Sequence, residues 1–138
     1  MMAFVLDASV AAAWLLPEEH SEAAEALIGA LTAQGPVPSL FWHEARSIVL
    51  MAERRGRIAP GEAIAAMARL RRLPLEDVGA GGDGSVLALA TRHALSAYDT
   101  AYLSLAVERT LPLATLDRKL AAAARAEGVE ILGPLANG

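Results

Sequence analysis

Phe4-Val5-Leu6-Asp7-Ala8-Ser9 is the stretch on which the reading of this chain turns. An apolar run stops at an aspartate, and an alanine-rich helical pattern follows at once. Val5 and Leu6 suit a strand buried on both faces, and in open α/β sheets the ligand crevice lies beyond the carboxyl ends of such strands. Asp7 would stand at that mouth. The same residue would serve equally as an ordinary cap for the helix opening at Ala8. The rest of the chain has to separate a cap from a site.

Moving outward, residues 8–16 read as a helix stopped by Pro17. A second helix is expected from His20-Ser21, with Ser21 as its cap and Ala23, Ala24, Leu27, Ile28 and Leu31 as its apolar face. Val37-Pro38-Ser39-Leu40 is a weakly specified strand, and a helix follows from Phe41 towards Arg54-Arg55 and Gly56. An amphipathic helix over 62–72 precedes a third strand at 73–78. The glycine-rich residues 79–84 lack the Lys-Ser/Thr ending of a phosphate-binding P-loop and are read as a flexible connection. Helices are expected over 85–93, 97–109 and 118–126, strands at 111–115 and 129–132, and a disordered tail after that. Strands alternating with helices imply right-handed βαβ units. They predict one domain, residues 1–138, built as a three-layer α/β/α sandwich around a mainly parallel sheet.

Composition narrows the chemistry. Of the 138 residues 54% are hydrophobic but only 4% aromatic, which favours helices packed closely on a sheet over an aromatic-rich β-sandwich. Cysteine is absent, so any metal would be held by oxygen or imidazole. A net charge of −4 argues against gripping nucleic acid by overall electrostatics, though not against reaching phosphates through a bound cation. Asp7, Pro17, Glu18 and Glu19 interrupt the apolar amino-terminal run, so neither a signal peptide nor a membrane span is expected, and the cytoplasm fits.

Most of the 16 acidic residues fall where a solvated helical face or end is expected. Asp7, Glu44, Asp99 and Asp117 do not, because each adjoins an apolar segment where the chain passes into the start of a helix. Helix-terminal electrostatics explains any one of them and says nothing about their meeting. In a parallel sheet, however, all such junctions open on the same edge, so the four side chains could converge. Carboxylates gathered there repel one another unless a cation neutralises them, and oxygen-only ligands suit Mg²⁺ or Mn²⁺. Such ions bind phosphate oxygens, which makes phosphodiester hydrolysis the leading chemistry.

Four blocks carry a resemblance to a known family: Val5-Leu6-Asp7-Ala8-Ser9, His43-Glu44-Ala45, Tyr98-Asp99-Thr100-Ala101-Tyr102-Leu103 and Ala114-Thr115-Leu116-Asp117-Arg118-Lys119-Leu120. Their order and spacing resemble the PIN-domain ribonucleases, and among them the VapC-type toxins of bacterial toxin–antitoxin pairs. That resemblance implies an α/β/α fold, an acidic metal site and endonucleolytic cleavage of RNA, tRNA included. It implies that Asp7 and Asp99 are the principal ligands of Mg²⁺ or Mn²⁺, that Glu44 completes the site directly or through water, and that Asp117 is an outer ligand or orients a water. Ser9 and Thr115 resemble the hydroxyl residues that hold the acids in place. Where relatives often carry asparagine three residues beyond the glutamate, this chain has Ser47. The family also implies a homodimer and a small cognate antitoxin, for which Trp14, Trp42 and the apolar residues around them are candidate contacts.

Other residues are read more plainly. His20 and His93 are expected to be exposed and His43 structural, while the arginines at 54, 55 and 57 and at 69, 71 and 72 either guide an RNA backbone or simply end helices. Two other functions compete. A noncatalytic binding module would use the acids as caps, and an aspartate-nucleophile phosphotransferase would want a second aspartate where Ser9 stands.

Overall fold

The computed structural model describes residues 2–17 and 22–137, so the expected Ser21 cap and the exposure of His20 lie outside the described residues. In order, the elements are β1 (Val5–Leu6), α1 (Ala8–Leu15), α2 (Glu22–Ala30), β2 (Gly35–Val37), α3 (Leu40–Arg54) and α4 (Glu62–Leu70). Then come β3 (Leu75–Asp77), α5 (Asp83–His93), α6 (Ala97–Arg109), β4 (Leu113–Ala114), α7 (Arg118–Ala126) and β5 (Ile131–Leu132). No helix among the described residues is long and apolar enough to cross a membrane.

Every ladder is parallel. β4 lies between β1 and β5, with Val5 opposite Leu113 and Leu113 opposite Ile131. β2 pairs with β3, Gly35 opposite Leu75 and Val37 opposite Asp77. The two ladders meet at β1 and β2. Thr32 and Ala33 both donate their N–H to the Met2 carbonyl there, and a Cβ on Gly35 would stand 2.9 Å from the Phe4 carbonyl oxygen. Only glycine permits that approach. The resulting series β3-β2-β1-β4-β5 reverses direction beside β1, and the crevice of such a sheet opens beyond the carboxyl ends of the strands at that reversal. Asp7 follows β1 and Thr115 follows β4.

Helices α1 to α4 pack on one another, while α6 packs on α5, α7 and the centre of the sheet. Right-handed crossovers place these two groups on opposite faces, giving the expected α/β/α layers. Phe4, Leu6, Phe41, Leu70, Tyr102 and Leu120 are fully buried between them. Burial on both faces, more than length, allows a two-residue strand such as Val5–Leu6 to be specified.

Three boundaries differ from expectation. β2 lies earlier than 37–40, because Ser39 already has helical backbone angles and Leu40 belongs to α3. Pro36 fits a ladder whose bonds run from the Gly35 N–H to the Pro74 carbonyl and from the Val78 N–H to the Val37 carbonyl. The loop at 79–84 is anchored rather than loose at its start, since Asp77 Oδ1 accepts from the Gly79 N–H at 2.9 Å and from Ser39 Oγ at 2.8 Å. The tail expected to be disordered is folded into a turn, with the Ala136 N–H donated to the Gly133 carbonyl and the Arg125 guanidinium donating to the Leu135 carbonyl.

Helix α6 ends on Thr110 in the left-handed conformation, φ 55°. A β-branched residue is strained there, by about 1 kcal/mol. Thr110→Gly is therefore expected to raise stability by about that amount in urea unfolding; unchanged or lower stability would show that the Thr110 side chain contributes more than it strains.

Candidate active site

Asp7 is tied to the sheet before its side chain is considered. Its N–H donates to the Ala114 carbonyl at 3.0 Å, so the ends of β1 and β4 are held together. Although Asp7 occupies the cap position of α1, its carboxylate makes no cap bond. Instead Oδ2 accepts from Thr115 Oγ1 at 2.6 Å and from Ser9 Oγ at 2.8 Å. Those hydroxyls are themselves held, Ser9 Oγ accepting the Leu116 N–H and Thr115 Oγ1 the Asp117 N–H, each at 3.0 Å. Burial pushes the Asp7 carboxyl above its ordinary range, the two hydroxyls oppose that, and nearby Asp99 adds to it. At 7% exposure Asp7 is one of few buried polar residues.

Glu44 enters from the opposite wall on α3. Its Oε1 accepts from the Tyr102 hydroxyl at 2.5 Å, a bond that crosses from α6 to α3. Burial raises the Glu44 carboxyl, the Tyr102 bond lowers it, and Asp7 and Asp99 raise it further. Tyr102 is fully buried, and both burial and the Glu44 carboxylate keep its phenol protonated.

Asp99 stands in the first turn of α6. Ser96 supplies the cap, its Oγ accepting the Asp99 N–H at 3.1 Å, so the Asp99 carboxylate is not consumed in capping. Burial and then Asp117 raise the Asp99 carboxyl, while Ser96 and Lys119 lower it. Lys119 is braced by donating Nζ to the Ala94 carbonyl at 2.7 Å. Asp117 does cap its helix, Oδ1 accepting the Leu120 N–H at 3.0 Å. The capping account thus holds for Asp117 and fails for Asp7.

All four acids act on one another's charge: Asp99 on Asp7, Asp7 and Asp99 on Glu44, and Asp117 on Asp99. They border a common space. Among the described residues, no three acidic or imidazole groups close tightly enough to hold a metal ion by themselves. The donor chemistry nevertheless fits a hard divalent cation. The ligands are oxygen only, three of the carboxyls are pushed towards protonation, and such ions retain waters that fill positions the protein leaves open.

Tyr102 and Ser96 had no role in the sequence reading, yet both left signals. Ser96-Ala97-Tyr98-Asp99 has the spacing of a helix-opening cap. Asp99 and Tyr102, three apart on a helix, share one face and point to one site. Three other readings change. His93, expected to be exposed, lies 2.7 Å from Glu127 Oε2, which also takes Arg92 at 2.8 Å, so Glu127 is not simply solvated. His43 is exposed rather than structural. Trp42 is buried and Trp14 partly buried, with Arg71 stacked 3.7 Å from the first ring and Arg69 5.0 Å from the second. The glycine-rich loop lines a cavity of about 310 Å³ with Pro38, Ser104, Glu108 and Arg109, and none of the four acids borders it.

A family model described as the PIN domain matches residues 4–126. No curated protein matches the chain. Three solved structures share its fold. PAE2754 from Pyrobaculum aerophilum superposes with a TM-score of 0.65 at 22% identity, over 88% of this chain and 79% of that one. FitAcB from Neisseria gonorrhoeae gives 0.68 at 19% identity over 97% and 99%, and a toxin–antitoxin complex from Klebsiella pneumoniae gives 0.58 at 16% over 83% and 86%.

Proposed function

The chain belongs to the PIN domain family, and on that footing we propose that it is a Mg²⁺- or Mn²⁺-dependent endoribonuclease, the toxin of a toxin–antitoxin pair. The observation that carries this reading is the meeting of Asp7, Glu44, Asp99 and Asp117 at the reversal point of the sheet, with three of their carboxyls raised by burial and by one another. In this reading Asp7 and Asp99 hold the cation, Glu44 completes the site, and Asp117 orients a water. Once bound, the cation neutralises the carboxylates, polarises the scissile phosphate and lowers the pKa of the water it holds. The chain's own contribution is position. Ser9 and Thr115 fix Asp7 Oδ2, Tyr102 fixes Glu44 Oε1, and Ser96 leaves the Asp99 carboxylate available. Asp117 spends Oδ1 on its helix and keeps Oδ2 for hydrogen bonding to an attacking water. No side-chain nucleophile is required.

The Klebsiella pneumoniae structure is a toxin–antitoxin complex, which supports an antitoxin partner for this chain as well; the RNA substrate and a homodimer follow from the family resemblance. A phosphotransferase using Asp7 as nucleophile is disfavoured by the burial of that carboxylate and the double engagement of its Oδ2. A noncatalytic module whose acids serve as caps is disfavoured by Asp7, which caps nothing. Purified protein free of any partner is expected to cut structured RNAs, tRNA among them, with Mg²⁺ or Mn²⁺ and to stop in EDTA. Absence of cutting under every ion by folded protein would reject the nuclease reading, and cutting in EDTA would reject its metal dependence.

A further inference from the structure

Each carboxylate has two oxygens, and the structure disposes of them unequally. Asp7 Oδ2 accepts two hydroxyls, from Thr115 at 2.6 Å and Ser9 at 2.8 Å. Glu44 Oε1 accepts the Tyr102 hydroxyl at 2.5 Å, and Asp117 Oδ1 accepts a backbone N–H at 3.0 Å. Asp7 Oδ1, Glu44 Oε2 and Asp117 Oδ2 are left to face the shared space. A carboxylate with one oxygen engaged in this way offers a cation one bond rather than two. Mg²⁺ accepts single oxygens in octahedral geometry and keeps its waters, whereas Ca²⁺ takes six to eight oxygens and favours bidentate carboxylates.

We propose that the hydroxyls of Tyr102 and Thr115 act as selectivity groups, each occupying a carboxylate oxygen so that the site undersupplies Ca²⁺ and suits Mg²⁺ or Mn²⁺. Tyr102 is the stronger of the two. Its ring is fully buried in the core, which fixes its rotamer, and its hydroxyl reaches from α6 to α3 across the mouth of the sheet. A donor so held competes continuously with any cation for Glu44 Oε1. Thr115 acts in the same sense on Asp7, from the end of β4. Both are positioning residues, since they act on the cation through a carboxylate and touch neither ion nor substrate.

The inference rests on the proposed cation site, and the test separates the two. Binding of MgCl₂ and of CaCl₂ is measured by calorimetry on the wild type, on Tyr102→Phe, which removes one oxygen and leaves the ring, and on Thr115→Val. The wild type is expected to prefer Mg²⁺. Tyr102→Phe is expected to shift the Mg²⁺/Ca²⁺ ratio of affinities towards Ca²⁺ by roughly tenfold, mainly through tighter Ca²⁺ binding. Thr115→Val is expected to shift it the same way by less, and keeps the question open to decision should Tyr102→Phe fail to fold. Equal weakening of both ions would show that the hydroxyls merely hold the acids in place, and an unchanged ratio would show no part in selection; either overturns the inference while leaving the cation site standing. Uptake of neither ion by the wild type overturns both.

Discussion

Asp99→Asn is expected to lower RNA cleavage by about 10²-fold or more while the protein remains folded. The fold should survive because the helix start does not depend on the Asp99 side chain: Ser96 caps its N–H, and Thr100 Oγ1 donates to the Ser96 carbonyl at 2.6 Å. What is lost is one negative charge facing Asp7, Glu44 and Asp117. A cation contributes several kcal/mol of transition-state stabilisation, and each 1.36 kcal/mol is tenfold in rate, which sets the size of the loss when its hold is weakened. Asp7→Asn should lose as much, since asparagine can still accept the Ser9 and Thr115 hydroxyls through its single carbonyl oxygen. Asp117→Asn should lose less, about tenfold, because its remaining carbonyl can keep the Leu120 cap while the charge that orients water disappears. Single-turnover rates on one RNA, with circular dichroism of each variant, check the order. Equal and small losses for all three would detach the chemistry from these acids.

A second large effect concerns pH and metal together. Asp7, Glu44 and Asp99 each have a folded-state carboxyl raised above its ordinary value. The native protein therefore binds more protons than the unfolded chain in the range between the ordinary carboxylate values and the raised ones. The stability these groups contribute is full below the ordinary values, 3.8 for aspartate and 4.5 for glutamate, and is lost as pH rises through the raised values. In EDTA, the Tm of the wild type should fall relative to that of Asp99→Asn as pH is raised from mildly acid to neutral. Asp77 and Glu127, with lowered carboxyls, work in the opposite sense, but below the ordinary values and equally in both proteins. Mg²⁺ should remove the difference at neutral pH and stabilise the wild type by about 2.7 kcal/mol at a hundred times its Kd, with little effect on the variant. A wild type that tracks Asp99→Asn at every pH in EDTA would show that these carboxyls are not in electrostatic strain.

Much of this architecture was legible in the chain, and the reasons are local. The helices at 97–109 and 118–126 were bounded correctly because each carries its own signals, a capping side chain at Ser96 or Asp117 and a clear stop at Thr110 or Gly128. β2 was misplaced because its residues, Gly35-Pro36-Val37, have poor strand propensity; what makes them a strand is the close approach of Gly35 to Phe4 and the ladder to β3, both nonlocal. The junction positions of the four acids were visible, but not their partners. Asp7 looked like a cap because Ala8 opens a helix, and only the packing of β4 beside β1 brings Thr115 to it across 108 positions. Tyr102 stayed hidden for a related reason: a tyrosine in an apolar stripe looks like core, and it is core, but its hydroxyl meets Glu44, 58 positions away. The ion pair of His93 with Glu127 was likewise beyond any local pattern.

The central claim is that the four acids share one cation. Anomalous diffraction from crystals soaked in Mn²⁺ tests it most directly. A single region of anomalous density beside Asp7 Oδ1, bordered by Asp99 and Glu44 and absent from Asp99→Asn crystals, is the predicted result. Density elsewhere on the surface, or none at saturating Mn²⁺ with the four side chains ordered, would contradict the account.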